Sequence, residues 1–278
     1  MMNWIRSLDR VLKGEATRPE ELRSGSVDLP LGGLSLVILL LGLFYGLCMG
    51  VFAVITRCHT PKAYMGWLQM MASAVKVPAL FFLTLLVTLP SLYVFNALVG
   101  SRLRFGAVVR LLVAALGVML ALQASFGTIV VFFAVSTTSY PFMVLLNVVL
   151  FAVSGFLGLG FLLQTLHRLS LVRQSFETTE LMEPTVAEPV PPAPRVAPGA
   201  LDPVQTKPDS SVKSVFRIWV IVFALVGAQM GWVLRPFVGH PRADFTFFRE
   251  RKENFFQAVA TKVAELFEWE SQRKGSRG

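Results

Sequence analysis

The stretch LGGLSLVILLLGLFYGLCMGVFAVI, from Leu31 to Ile55, contains no charged residue. A helix of this length crosses the ~30 Å hydrocarbon core of a bilayer. Four more apolar runs with few or no charges follow, at about Val77–Val99, Leu111–Val135, Pro141–Leu166 and Ile218–Leu234, the last being shorter. The whole chain is 54% hydrophobic and 15% charged. These features predict an all-α integral membrane protein with about five transmembrane helices, plus a C-terminal amphipathic helix.

The apolar runs divide the chain into five predicted parts. These are an N-terminal arm (1–28), a four-helix transmembrane unit (29–168), a linker (169–214), a fifth transmembrane helix (215–235) and an aromatic, basic C-terminal module (236–278). The arm is too polar and too long for the leader of a cleaved signal peptide, so we expect the first span to be retained. Eight prolines in the linker favour a disordered or polyproline-like tether over a partner-binding segment.

The positive charges predict the orientation. Lys and Arg concentrate in cytoplasmic loops, and three regions that would share one side carry them: the N-terminal arm, the loop with Arg102 and Arg104, and the exit of the fourth span at Arg168. We therefore expect a cytoplasmic N-terminus and an external C-terminus. The basic chain after Arg235 conflicts with this, and a fifth run that dips into the membrane and returns is the alternative.

Glycines at four-residue spacing line the first and fifth runs. They are Gly42, Gly46 and Gly50 in the first, and Gly227 and Gly231 in the fifth. Because helices in lipid associate through close packing of small residues, we interpret both sets as helix-packing faces. The sequence leaves open whether the facing helix belongs to this chain or to a partner.

The second run contains the best candidate for a polar site inside the membrane. Pro90 removes a backbone hydrogen bond and predicts a kink, while Thr84, Thr88 and Ser91 can bond the freed carbonyls. Asn96 lies beyond the kink. A substrate or ion site at a broken helix is one interpretation, but a cluster that fixes helix packing is favoured. Asn147, Gln123 and Gln229 fit the same packing role.

Groups that perform chemistry are scarce in these runs. No Asp or Glu falls within any of them, and proton relays or intramembrane hydrolases normally need such residues. Cys48 lies inside the first run and Cys58 just beyond it, and the one adjacent His59 does not complete the three or four ligands of a metal site. We expect no catalytic residue, no cofactor and no metal. The net charge of +9 is attributed to helix orientation and lipid headgroups, with no nucleic acid as partner.

The C-terminal module is rich in phenylalanine and basic residues. A set of them is predicted to dock on a partner or the membrane: Arg235, Phe237, Phe247, Phe248, Arg249, Phe255 and Phe256. From about Asn254, apolar residues recur at steps of three and four, which predicts an amphipathic helix. Docking on a membrane surface and docking on another subunit both remain open. Two interpretations of Tyr64–Pro78 also remain open: a surface helix, or the early part of a tilted span.

Two segments resemble known sequences. WVLRPFVGHP followed by FTFFRERKENFF resembles a segment after the last span of uncharacterised bacterial polytopic membrane proteins, in the pattern LRPF-G-P, FFR and NFF. KVPALFFLTLLVTLPSLYVFNALVGSRL is similar to the same group. The resemblance implies a multi-pass protein of the bacterial inner membrane and assigns no functional residue. The five-span layout is also loosely similar to the Ypt/Rab-interacting family, in architecture alone.

Three functions from different classes follow. The first, which we favour, is a non-catalytic scaffold or accessory subunit that binds other membrane proteins, or itself, through its glycine faces and C-terminal module. The second is a small channel or carrier with a polar site at Pro90. The third and least supported is an enzyme acting on lipid, for which Arg235 and His240 are the only pair to test.

Overall fold

The computed structural model describes residues 6, 8–9, 11–13, 31–98, 105–182, 210–234, 247 and 255–275. Six long helices lie among them: α1 (Leu31–Arg57), α2 (Ala63–Leu98), α3 (Phe105–Ser136), α4 (Tyr140–Met182), α5 (Ser210–Leu234) and α6 (Phe255–Gly275). By length and hydropathy, α1 to α4 qualify as membrane spans, whereas the apolar part described in α5, Val220–Leu234, is shorter. The prediction of a helical, multi-pass membrane protein is confirmed at this level, and α6 matches the predicted amphipathic helix.

The helices on either side of the predicted linker are longer than the sequence suggested. α4 continues to Met182 and α5 begins at Ser210, although we expected the linker over 169–214. The first proline after α4 is Pro184, and a proline together with the residue before it disfavours a continuing helix. The helix therefore persists until the prolines begin. The centre of the linker, 183–209, lies outside the described residues.

α2 is one continuous helix through both Pro78 and Pro90. The segment Tyr64–Pro78 is therefore the early part of a long helix rather than a separate surface helix. Its outward side is apolar, with Tyr64, Trp67, Leu68, Met71 and Val75 exposed, and its polar residues Gln69, Ser73 and Lys76 are buried. Polar groups inside and apolar groups outside are the arrangement expected of a helix surrounded by lipid.

The contacts define an up-and-down bundle. α1 and α2 are antiparallel, since Gly42 lies against Pro78 and Gly50 against Met70. The helices pack side by side in the order α5, α2, α1, α3 and α4, each mainly against its neighbours in this series. α6 packs mainly on α4. We call the end with the turns 58–62 and 137–139 the turn end. The end at which α1 and α3 begin is the arm end.

Part of the N-terminal arm packs into the bundle. Leu8 and Val11 are buried, whereas Arg6, Asp9 and Lys13 are exposed. A Cβ built on Gly117 of α3 would lie 3.2 Å from Leu8 Cδ1 and 3.6 Å from Ile38 Cδ1 of α1. The described arm residues therefore form an amphipathic helical turn seated between α1 and α3. The sequence did not predict this contact, because the arm as a whole is polar in composition.

α5 runs antiparallel to α2 and ends beside its middle. A Cβ on Gly227 would lie 3.6 Å from Thr84 Cγ2, and a Cβ on Gly231 would lie 3.6 Å from Leu80 Cδ1. Since Leu234 is only about 5 Å further along, at 1.5 Å per residue, α5 ends near the level of Lys76 and Val77. α6 packs near the turn end, where Lys262 Nζ lies 5.4 Å from the ring centroid of Tyr140.

Candidate functional site

The packing face formed by Gly42, Gly46 and Gly50 of α1, called the seam below, is covered by α2 of the same chain. A Cβ on Gly46 would lie 2.5 Å from Ala74 Cα and 2.5 Å from the Ser73 carbonyl oxygen, and a Cβ on Gly50 would lie 2.5 Å from Met70 Cα. At Gly42 the corresponding distance is 3.0 Å, to Pro78 Cβ. No side chain fits at Gly46 or Gly50 because backbone atoms fill the space. The facing helix that the sequence left open is therefore internal.

The other glycines differ in what they contact. Gly227 and Gly231 face α2 at ordinary van der Waals distance, so they lie in a packing face without requiring a bare backbone. Gly158 of α4 lies against the flexible side chain of Met119. Gly155 and Gly160 of α4 have no atom within 4 Å of an added Cβ. These last two glycines open toward the outside of the bundle.

The hydroxyls near Pro90 bond to their own helix. Thr84 Oγ1 donates to the Leu80 carbonyl oxygen and Thr88 Oγ1 donates to the Thr84 carbonyl oxygen, each at 2.7 Å. Ser91 Oγ donates to the Thr88 carbonyl oxygen, also at 2.7 Å. The accepting carbonyls are at residues 80, 84 and 88, whereas the carbonyl that Pro90 itself frees is at residue 86. Since the side chain of Asn96 lies outside the described part of the chain, the polar site as a whole stays a prediction.

A buried polar layer joins three helices in the middle of the bundle. Tyr45 of α1 donates a hydrogen bond from its hydroxyl to Asn147 Oδ1 of α4 at 2.9 Å. Gln123 of α3 donates from Nε2 to Ser154 Oγ of α4 at 2.7 Å, and its own Oε1 has no hydrogen-bond partner. Asn147 and Gln123 thus have the interhelical role predicted for them. Phe151, between the two bonds on α4, packs edge-on against Tyr45.

Lys76 marks a contact that the sequence did not reveal. From its place at the start of the second apolar run, Lys76 is expected to extend its ammonium group to the headgroups. The residue is instead only 4% exposed near the middle of α2. Its Nζ donates a hydrogen bond to the Phe247 carbonyl oxygen and lies 4.6 Å from the Phe247 ring centroid. The signal in the sequence was the spacing of Gln69, Ser73 and Lys76, which puts three polar residues on one helix face.

The residues predicted to dock on a partner or the membrane are only partly described. Phe247 contacts Lys76 of this chain, so it serves the fold. Phe255 and Phe256 begin α6, with ring centroids 5.3 Å apart, and Phe256 is 57% exposed. Arg235, Phe237, Phe248 and Arg249 lie outside the described residues. Of the three described members, Phe247 contacts this chain but is 44% exposed, Phe255 is half-buried and Phe256 is exposed.

Metal ligation has no support within the described residues, where no group of three His, Cys, Asp or Glu side chains is assembled. Cys48 is buried and Cys58 is exposed, and neither forms a disulfide. Comparison of the chain with protein-family models, curated proteins and solved structures finds no match.

Proposed function

We propose that this protein is a non-catalytic integral membrane scaffold or accessory subunit, which associates with other membrane proteins or with itself. One observation carries the proposal. Several polar side chains described inside the bundle join different elements of it, as Tyr45 does with Asn147, Gln123 with Ser154, and Lys76 with Phe247. Polar contacts between helices stabilise one arrangement of a membrane bundle. Such use supports a structural role for these groups.

The surface left for partners supports the same role. The seam at Gly42, Gly46 and Gly50 is internal, but two open glycines, Gly155 and Gly160, lie on the outer side of α4. Being five residues apart, they are about 140° apart around the helix and bracket its outer surface. Phe156 and Leu157 stand exposed beside these glycines. A facing helix can approach closely at glycine while a neighbouring side chain fills its grooves. We assign the partner contact to this side of α4.

We further propose a membrane topology. The chain enters along α5 from the arm end, and α6 contacts Tyr140 at the turn end. A fifth crossing that begins with α5 and is completed before α6 accounts for both contacts. By the distribution of Lys and Arg, the N-terminal arm is cytoplasmic and the C-terminal module is on the opposite side of a bacterial inner membrane.

The test is a native pull-down of the tagged full chain in mild detergent, with stoichiometry from mass spectrometry. The test variant is Gly155→Leu/Gly160→Leu, which fills the outer face of α4. The matched control is Gly32→Leu, which adds the same bulk at another open position. We expect a component retained at fixed ratio by the wild type and the control but lost from the test variant, with unchanged elution of the protein itself.

Two results would overturn the proposal in part or whole. Retention of the component at normal ratio by the test variant removes the α4 face from the contact. A wild-type protein that elutes alone and monomeric removes the subunit role. In that case, solute flux into liposomes, compared between wild type and Asn96→Leu, tests the channel or carrier alternative.

A further inference from the structure

We propose that α6 is an interfacial helix whose exposed apolar stripe is embedded in the lipid bilayer beside the turn end of the bundle. The stripe consists of Phe256, Ala260, Val263 and Phe267, which recur at steps of four, three and four residues and therefore share one helix face. Phe256 and Phe267 are 57% and 65% exposed. Phenylalanine side chains this exposed are unfavourable in water.

The opposite side of α6 faces the bundle. Ala258 is buried, and Phe255, Lys262 and Leu266 are half-buried. Lys262 Nζ lies over the Tyr140 ring and 2.6 Å from Glu265 Oε1. The burial of Ala258 and the contact of Lys262 with Tyr140 fix the rotation of the helix about its axis. The exposed stripe consequently has one fixed direction relative to the bundle.

A third face of α6 is exposed and mostly polar, consisting of Gln257, Thr261, Ala264 and Glu268. Around the helix the order is therefore bundle, apolar stripe, polar stripe. A helix lying in the membrane interface beside other helices needs this order, because it meets protein on one side, acyl chains on the second and water on the third. A helix in water would need only the first and third.

The position of α6 favours lipid over a protein partner as the occupant. Tyr140 begins the membrane span Tyr140–Thr165, so α6 lies where the lipid-facing surface of α4 begins. Tyr64 and Trp67, near the start of α2 at the same end, are also exposed. Such aromatic residues are typical of the membrane–water interface. The apolar stripe thus lies at the end of the bundle where the membrane span of α4 begins.

The charge of α6 specifies the kind of lipid surface. Its sequence holds three acidic residues (Glu265, Glu268 and Glu270) and three basic residues (Lys262, Arg273 and Lys274), which sum to zero. Insertion is therefore carried by apolar area and does not require anionic headgroups. Vesicles of zwitterionic phosphatidylcholine are the appropriate probe.

The experiment places single spin labels on α6 of the full-length protein in phosphatidylcholine vesicles, in a Cys48→Ala/Cys58→Ser background. Labels at residues 256, 263 and 267 report the apolar stripe, labels at 257, 261 and 268 are the matched polar controls, and 258 is the buried reference. Collisions with oxygen, which concentrates in lipid, are compared with collisions with a water-soluble nickel chelate. We expect oxygen to dominate at the apolar sites, nickel at the polar sites, and neither at 258.

Two outcomes would overturn the proposal. Nickel collisions at the apolar sites equal to those at the polar controls would mean that the stripe faces water. Apolar sites shielded from both reagents would mean that protein covers the stripe. Repeating the measurement in native membrane vesicles extends this second test to partners lost on purification. Variants whose elution profile differs from wild type are excluded, and the remaining sites of the same stripe decide.

Discussion

Lys76 Nζ donates a hydrogen bond to the Phe247 carbonyl oxygen and lies 4.6 Å from the centroid of the Phe247 ring, although the two residues are 171 positions apart. The contact joins the middle of α2 to the chain between α5 and α6. It also places a buried cation against two electron-rich groups, which reduces the cost of burying its charge. The C-terminal module is thereby attached to the bundle through α2 as well as through α4.

Lys76→Met is expected to loosen the C-terminal segment. The variant keeps most of the side-chain length but removes the charge and the hydrogen-bond donor, and a desolvated cation–π contact alone is worth about 2 kcal/mol. Cleavage by chymotrypsin near Phe247 should therefore accelerate. Chymotrypsin is used because the substitution itself removes a trypsin site. Lys62→Met, at an exposed lysine in the turn 58–62, is the control. Equal cleavage rates in both variants would contradict a restraining role for Lys76.

Gly46→Ala is expected to lower the free energy of unfolding more than Gly155→Ala. The new methyl would meet Ala74 Cα and the Ser73 carbonyl oxygen, both at 2.5 Å, whereas Gly155 has open space. Overpacking of this kind costs about 1–3 kcal/mol, and backbone atoms cannot rotate away. Thermal unfolding in detergent, followed by the loss of the monodisperse elution peak, compares the two. Similar midpoints would show that α1 and α2 separate without cost at Gly46.

Tyr45→Phe is expected to remove one interhelical hydrogen bond while keeping the edge-on contact with Phe151. Bonds of this kind in membrane bundles contribute about 0.6 kcal/mol on average. The corresponding decrease in the free energy of unfolding should be absent from the control Tyr64→Phe, since Tyr64 is exposed on α2. Unfolding in mixed micelles with increasing denaturing detergent measures the difference. A loss of the same size in both variants would argue against the bond to Asn147.

Leu8→Asp is expected to release the N-terminal arm from its seat between α1 and α3. Leu8 is buried against Gly117, so a carboxylate there is deprived of water. Leu12→Asp is the matched control because Leu12 is 48% exposed on the same helical turn. Hydrogen exchange of the arm amides should increase in the first variant and not in the second. An arm that exchanges equally fast in wild type would mean that the seat is not occupied in the membrane.

The sequence predicted the features that depend on local chemistry. An apolar run such as Leu31–Ile55 must be helical in lipid, because only a helix satisfies its backbone hydrogen bonds within one segment. The spacing of Gly42, Gly46 and Gly50 also identified a packing face, because helical geometry alone puts these residues in line. Asn147 and Gln123 were correctly expected to bond between helices.

Features that depend on distant residues were missed. The sequence showed a packing face on α1 but not that α2 covers it, and it assigned Lys76 to the headgroups. It also treated the N-terminal arm as a polar appendage, although Leu8 and Val11 are buried. The end of α4 at Met182 was missed for a local reason. The polar residues after 168 were assigned to the linker, although the first proline comes only after the helix ends.

The sequence by itself determined the helices, their affinity for the membrane and the faces available for packing, since hydropathy and helical periodicity are properties of neighbouring residues. Only the tertiary structure decided which faces meet. It brought Gly46 against Ala74, Leu8 against Gly117 and Lys76 under Phe247. These pairings depend on close packing between segments far apart in the chain, where several helices offer similar apolar surfaces and only the fit of the side chains distinguishes them.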